Sequence, residues 1–137
     1  MSKTILIVDD EPDVVEYLSA ILDSCDYSVI TASNADDGFN AAKKHKPGLI
    51  CLDIMMPEKS GLSLYIRLQK NDSLKGIPVL IISGMEKEQE FDFQKIIDDA
   101  GITPPNEYIE KPINVDQFVE TVKNHLSSRG AKQTDSA

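Results

Sequence analysis

The sequence has few cysteines, and their positions exclude two common kinds of small-protein scaffold. Only Cys25 and Cys51 occur in the 137 residues, and neither belongs to a C-x-x-C pair. This arrangement is neither a disulfide framework nor a zinc-binding pattern. We therefore expect two reduced thiols, as is usual in a cytosolic protein.

The sequence also lacks a targeting segment and an excess of positive charge. No signal peptide precedes the first apolar run, and no run approaches the roughly 18 apolar residues of a membrane span. We therefore expect a cytoplasmic protein without membrane contact. Lys and Arg number 14 against 23 Asp and Glu, which gives a net charge of -9. This balance argues against nucleic-acid binding, because phosphate contacts need clustered Lys and Arg.

The length and composition are those of one globular domain. Apolar residues make up 41% of the chain and charged residues 27%, and a chain of this size buries about two-thirds of its unfolded surface. The last residues, 127–137, are small and polar. We predict a folded domain over residues 1–126 and a disordered tail over 127–137.

Apolar runs alternate with amphipathic segments along the whole domain. The runs predict strands at about 4–9, 28–32, 49–53, 79–83 and 107–110. Helical spacing predicts helices over about 12–24 and 34–45, from 60, over 86–100, and from 114. Several strands are apolar throughout, as expected where helices cover both faces. The pattern predicts an α/β fold with a doubly wound, five-stranded parallel sheet.

Local signals support the helix boundaries. Asn34 is a good N-cap for the second helix, and Asn114 with Gln117 resembles a capping box for the last one. In the fourth helix, apolar residues recur at i, i+3, i+4 and i+7, and we expect this stripe to face the core: Phe93, Ile96, Ile97 and Ala100.

Polar groups follow four of the predicted strands. Asp9 and Asp10 end the first strand, Asp53 the third, Ser83 the fourth, and Lys111 the fifth. The carboxyl ends of parallel strands form the edge where open α/β sheets bind ligands. We therefore expect these side chains to converge there.

Three converging carboxylates require a cation. At about 4 Å, two such charges repel by roughly 4 kcal/mol at an effective dielectric of 20. Mg²⁺ is the natural partner, because it takes oxygen ligands and shares them with phosphate and water. Lys111 and Ser83 suit phosphoryl oxygens. Asp53, alone at the central strand end, is the best nucleophile, and its attack on phosphorus would give an acyl phosphate.

These segments together resemble the receiver domain of two-component response regulators, of the chemotaxis-Y-like type. The resemblance covers about residues 3–126 and rests on four segments in order: Ile5-Leu6-Ile7-Val8-Asp9-Asp10-Glu11-Pro12, Leu52-Asp53-Ile54-Met55-Met56-Pro57 with Gly61, Ile81-Ile82-Ser83-Gly84, and Glu107-Tyr108-Ile109-Glu110-Lys111-Pro112. Each segment is a weak signal alone, whereas four on the right strand ends are specific.

The resemblance implies a phosphorylation site. It implies that a sensor histidine kinase or a phosphotransfer protein phosphorylates Asp53. Asp10, Asp53 and the backbone carbonyl of Met55 would bind Mg²⁺ directly, and Asp9 would bind it through water. Lys111 would bind the phosphoryl group. No separate substrate is implied, so the protein would not be an enzyme beyond its own aspartyl phosphorylation and dephosphorylation.

The resemblance also implies a switch and an architecture. Ser83 would move toward the phosphoryl group, and Tyr108 would be the coupled aromatic residue. The bond to Pro112 would be cis, and the flavodoxin-like sheet would have the order 2-1-3-4-5. The surface around helix 4, strand 5 and helix 5 would change for a downstream protein target or an output domain. The protein would be a monomer or a phosphorylation-dependent homodimer.

One departure and three alternatives accompany this interpretation. The stretch from Ser83 to Lys111 is several residues longer than usual in the family, which leaves the output geometry open. A degenerate receiver that binds proteins without phosphate would lack Asp53, Lys111 or the acidic pair. A haloacid-dehalogenase-like phosphatase would need an acid where Met55 stands. Nucleotide binding is disfavoured, because no glycine-rich loop follows the first strand.

Overall fold

The protein is a five-stranded parallel sheet with helices on both faces. A computed structural model describes residues 3–84 and 87–136, and for residue 87 and residues 127–136 it describes the backbone alone. The strands are ordered β2-β1-β3-β4-β5, and all four pairings are parallel. The predicted fold class and the order implied by the resemblance are thus confirmed.

Most elements have the bounds that the sequence predicts. The strands are β1 Thr4–Val8, β2 Ser28–Ala32, β3 Leu49–Leu52, β4 Val79–Ser83 and β5 Glu107–Glu110. The helices are α1 Pro12–Ser24, α2 Ala35–His45, α3 Ser60–Lys70, α4 Lys87–Ala100 and α5 Val115–Ser136. A short 3-10 turn, Pro57–Lys59, precedes α3. Both β1 and β3 end one residue before the prediction, so that Asp9 and Asp53 are the first residues beyond their strands.

The sheet separates two apolar cores. Alternate residues of β1 point to opposite faces: Ile5 and Ile7 pack with α1 and α5, whereas Leu6 and Val8 pack with α2, α3 and α4. Such strands are buried on both sides, which explains their continuous apolar sequences. The two cores fix the position of every strand end, and hence of the polar groups that follow.

The predicted core stripe of α4 is too wide. Phe93 and Ile97 are buried, but Ile96 is 37% exposed and Ala100 is also exposed. Spacing alone identifies one side of a helix, but the neighbouring elements decide how much of that side is covered. Here α4 contacts the core mainly along the line from Phe93 to Ile97.

The last helix continues past the predicted domain boundary. The backbone of α5 is helical to Ser136, ten residues beyond the predicted end at residue 126. The division into a domain over 1–126 and a disordered tail over 127–137 stays a prediction. Near the amino-terminal end of β1, Lys3 Nζ donates a hydrogen bond to the Leu126 carbonyl at 3.3 Å.

Candidate phosphoacceptor and metal site

The pairing of β1 with β3 brings two aspartates together. Val8 lies opposite Leu52 in parallel register, so the next residue of each strand, Asp9 or Asp53, lies at the same edge. The Asp53 backbone N–H donates to the Val8 carbonyl at 2.9 Å. Both side chains are almost completely buried, with Asp9 2% and Asp53 3% exposed. Two buried carboxylates at one edge need compensation from outside the apolar core.

Two further carboxylates complete an acidic cluster. Asp9, Asp10, Glu11 and Asp53 each offer one oxygen, and these four oxygens lie within 4.8 Å of one another. Backbone amides orient two of the side chains: Glu11 N–H donates to Asp9 Oδ1, and Met55 N–H donates to Asp53 Oδ1, each at 2.9 Å. Converging hard oxygen donors are the ligands that Mg²⁺ prefers, so the donor set fits this ion.

Lys111 supplies the positive charge of the cluster. Its Nζ lies 3.5 Å from Asp9 Oδ2, 3.6 Å from Glu11 Oε1 and 3.7 Å from Asp53 Oδ2. The Lys111 backbone N–H donates to the Ser83 carbonyl at 3.1 Å, which fixes its place beside β4. The bond to Pro112 is cis, as the resemblance implies. One ammonium thus faces three carboxylates at similar distances.

Burial and charge act together on the ionisation of these groups. Burial raises the pKa of Asp9, and the negative charges of Asp53 and Asp10 add to that rise against the opposing effects of the Glu11 amide and Lys111. For Lys111, burial lowers the pKa, but the attraction of Asp53, Asp9 and Glu11 outweighs it and the pKa lies above its ordinary value. The lysine therefore stays charged, and the cluster favours any added cation.

Ser83 brings a buried hydroxyl without a partner. The residue is 4% exposed, and within the described part of the chain its Oγ has no hydrogen-bond partner. A buried hydroxyl left in this way costs free energy, which a hydrogen-bond acceptor within reach would recover. Ser83 and Tyr108 also line one small cavity of about 10 Å³.

Tyr108 lies in a row of three aromatic rings. Its ring meets Phe93 edge-on at 6.1 Å, and Phe93 meets Tyr65 at 6.0 Å. The Tyr108 hydroxyl accepts a hydrogen bond from Gln94 of α4. Burial and the nearby Glu90 raise the pKa of Tyr108 to about 12. The hydrogen bond from Gln94 to Tyr108 thus links α4 to β5. Tyr108 also lines the same cavity as Ser83.

Gly61 allows α3 to begin directly against the end of β3. A Cβ at this position would lie 2.5 Å from the Asp53 carbonyl oxygen and 2.7 Å from Ile54 Cα. Both contacts are with backbone, so they could not be relieved by a side-chain rotation. The glycine therefore sets the shape of the loop that carries Asp53 and Met55.

The chain resembles known signalling proteins along nearly its whole length. The family model of the response regulator receiver domain matches residues 5–123. The chain belongs to the response regulator receiver family. The polar-differentiation response regulator DivK of Brucella anthropi is 31% identical over 126 residues, which cover 92% of this chain and 98% of that protein.

Solved structures of receiver domains have the same fold. A receiver domain protein from Methanospirillum hungatei is 26% identical with a TM-score of 0.81, covering 96% of this chain and 99% of that chain. The receiver domain of a signal transduction histidine kinase from Syntrophus aciditrophicus is also 26% identical with a TM-score of 0.81, covering 93% and 92%. Among the described residues, no helix is long and apolar enough to cross a membrane.

The general function of the protein follows from its membership of this family. The protein is a receiver domain of a two-component response regulator, a class that interacts with histidine kinases or phosphotransfer proteins and has no separate substrate. The groups whose loss would mark a degenerate receiver are all present, and the structure brings Asp9, Asp10, Asp53 and Lys111 together.

The structural roles of two residues near this site, Glu11 and Gly61, are not predictable from the sequence. In the sequence Glu11 belongs only to the acidic segment, whereas in the structure its carboxylate contacts Lys111. Gly61 was only part of a motif, although its missing side chain is what the loop requires. Neither role has a signal in sequence spacing, because each depends on a contact between separate elements.

Proposed function

We propose that Asp53 accepts a phosphoryl group from a partner sensor histidine kinase, a phosphotransfer protein or a small phosphodonor. An Asp53 carboxylate oxygen forms a bond to phosphorus, the bond between phosphorus and the leaving group breaks, and the leaving group keeps the electron pair. The product is an acyl phosphate on Asp53. The Met55 amide holds Asp53 Oδ1 and so leaves the other oxygen to react.

Asp9, Asp10, Asp53 and the backbone carbonyl of Met55 would hold Mg²⁺, with Asp9 acting through water. When bound, this ion neutralises charge on the phosphoryl oxygens and on the carboxylates. The observation that supports the assignment is the convergence of four carboxylate oxygens within 4.8 Å beside a single ammonium. Lys111 approaches one phosphoryl oxygen as a mobile point charge.

Ser83 and Tyr108 form the switch in this proposal. The Ser83 hydroxyl, which has no partner within the described residues, donates to a phosphoryl oxygen. Tyr108 lines the same cavity and accepts a hydrogen bond from Gln94 of α4. A movement of the Tyr108 side chain would therefore change the surface formed by α4, β5 and α5. That surface would contact a downstream protein target or an output domain, and the protein would act in the cytoplasm as a monomer or a phosphorylation-dependent homodimer.

The test is phosphorylation with a small donor. Incubation with Mg²⁺ and acetyl phosphate should add one phosphoryl group by intact-protein mass spectrometry, and EDTA should prevent it. Asp53→Asn should remove the modification, because the amide is a poor nucleophile. Asp72→Asn is the matched control, since Asp72 is almost fully exposed. Labelling of Asp53→Asn at the level of the control would place the phosphoacceptor elsewhere.

A further inference from the structure

Glu11 occupies a helix N-cap position but does not cap the helix. It precedes α1 with extended backbone angles, φ -95° and ψ 109°, and among the described residues its side chain makes no cap hydrogen bond. Short polar side chains such as Asp or Asn usually accept a bond from the first turn at this position. The Glu11 carboxylate instead lies 3.6 Å from Lys111 Nζ. The Glu11 side chain is therefore directed to Lys111, and it does not cap the first turn of α1.

The three carboxylates around Lys111 differ in their freedom to move. Asp9 and Asp53 are 2% and 3% exposed, and each is held by a backbone amide. The Glu11 side chain is 61% exposed, and the described contacts give its carboxylate no other ion-pair partner. Glu11 is thus the one of the three that can release the ammonium without leaving a buried charge unpaired.

We propose that Glu11 is a positioning residue that restrains Lys111 in the unphosphorylated state and slows phosphoryl capture. This inference rests on the proposed function of Asp53. Lys111 must move toward the incoming phosphoryl oxygens, and during that movement its contact with Glu11 is exchanged for one with the phosphoryl group. The restraint acts through Lys111, so Glu11 itself does not contact the reacting atoms.

Glu11→Gln should therefore accelerate phosphorylation. The expected increase with Mg²⁺ and acetyl phosphate is about two- to fivefold, the range for a partly exposed ion pair. Glu16→Gln is the matched control, because it makes the same change of residue and charge on α1, and within the described residues Glu16 makes no ion pair. Equal acceleration of both variants would show a general charge effect and would overturn the proposal.

A second measurement follows Lys111 itself. In ¹³C-labelled protein without metal, the Lys111 Cε resonance of Glu11→Gln should shift toward its position in wild-type protein with Mg²⁺ and beryllofluoride. Glu16→Gln should leave it unchanged. A loss of helix stability alone would lower the melting temperature of Glu11→Gln without this shift, and that result would also overturn the proposal.

The remaining outcomes separate this inference from the proposed function. If Glu11→Gln is phosphorylated more slowly and binds Mg²⁺ more weakly, Glu11 acts as a metal ligand. That result would overturn its proposed role in restraining Lys111. If wild-type protein takes up no phosphoryl group at Asp53, the proposed function fails. The Lys111 resonance, which needs no phosphodonor, would still decide whether Glu11 restrains the lysine.

Discussion

Asp53 is a buried carboxylate that shares one ammonium with Asp9 and Glu11. Without metal, its negative charge should cost the folded state more than it contributes. We predict that Asp53→Asn stabilises the metal-free protein by about 1 kcal/mol, because the amide keeps the bond from the Met55 N–H and removes one charge. The melting temperature measured in EDTA should rise by about 3–5 °C.

The melting-temperature experiment on Asp53→Asn has a control variant, and Mg²⁺ should reverse the order of stability. Asp72→Asn removes an exposed charge paired with Lys75 at 3.3 Å and should leave the melting temperature nearly unchanged. Excess Mg²⁺ should stabilise wild-type protein more than Asp53→Asn, since only binding to the folded state adds stability. A clear decrease in the melting temperature of metal-free Asp53→Asn would contradict the argument from crowded carboxylates.

Single residues were predictable where the chemistry follows a strand. Asp9 and Asp53 come directly after an apolar run, Ser83 ends one, and Lys111 follows the last strand. Parallel pairing then places them at one edge. The missing partner of the Ser83 hydroxyl has no such signal. It depends on the packing of several elements around one atom, which residue types and spacing do not encode.

At the scale of elements, the junction of β3 with α3 depends on one glycine. Gly61→Ala would place a Cβ 2.5 Å from the Asp53 carbonyl oxygen. The loop must shift to accept it, so we expect a loss of about 1–3 kcal/mol in the free energy of unfolding. Because the loop carries Asp53 and Met55, phosphorylation by acetyl phosphate should also slow. Urea unfolding and the rate of phosphoryl uptake measure the two effects.

Gly76→Ala provides the comparison for this variant. A Cβ at Gly76 would meet no atom of the described part of the chain within 4 Å, and Gly76 has no left-handed φ. The substitution should be neutral or slightly stabilising, because it reduces the freedom of the unfolded chain. If Gly61→Ala behaved like Gly76→Ala, the close approach of α3 to β3 would have no energetic significance.

Helix starts were more predictable than irregular turns. Asn34 and Asn114 cap α2 and α5 as expected, each accepting a backbone N–H at 2.8 and 2.9 Å. The turn before α3 was not anticipated, because Glu58 and Lys59 have φ of 59° and 57°. Glu and Lys seldom adopt left-handed angles, so their sequence gives no warning of them. The surrounding loop imposes these angles.

At the scale of the whole molecule, several buried groups make stability depend on alkaline pH. Burial raises the pKa of Cys51 from 9.0 to about 12, and the pKa of Tyr108 rises from 10.0 to about 12. The unfolded chain therefore releases these protons first as pH increases. Lys111 acts in the same direction, because its raised pKa favours the folded state until the ammonium loses its proton.

We predict that the urea midpoint is nearly constant between about pH 7 and pH 9 and then falls toward pH 12. For the fully buried Cys51, the expected loss between pH 9 and 11 is about 2 kcal/mol. Cys51→Ala should have a lower midpoint at pH 8 but a shallower decrease above pH 9. A midpoint that rises above pH 9, or an identical slope in the variant, would contradict this sign.

The hydrogen bond from Lys3 to the Leu126 carbonyl holds these two residues together on the side of the molecule where the strands begin. The strands run away from that side for four or five residues, so the acidic pocket lies about 15 Å further along. A short linker between these positions would permit circular permutation without crossing the pocket. Fluorescent reporters or surface anchors attached there would leave the opposite rim accessible to a kinase, which suits the domain to the construction of phosphorylation sensors.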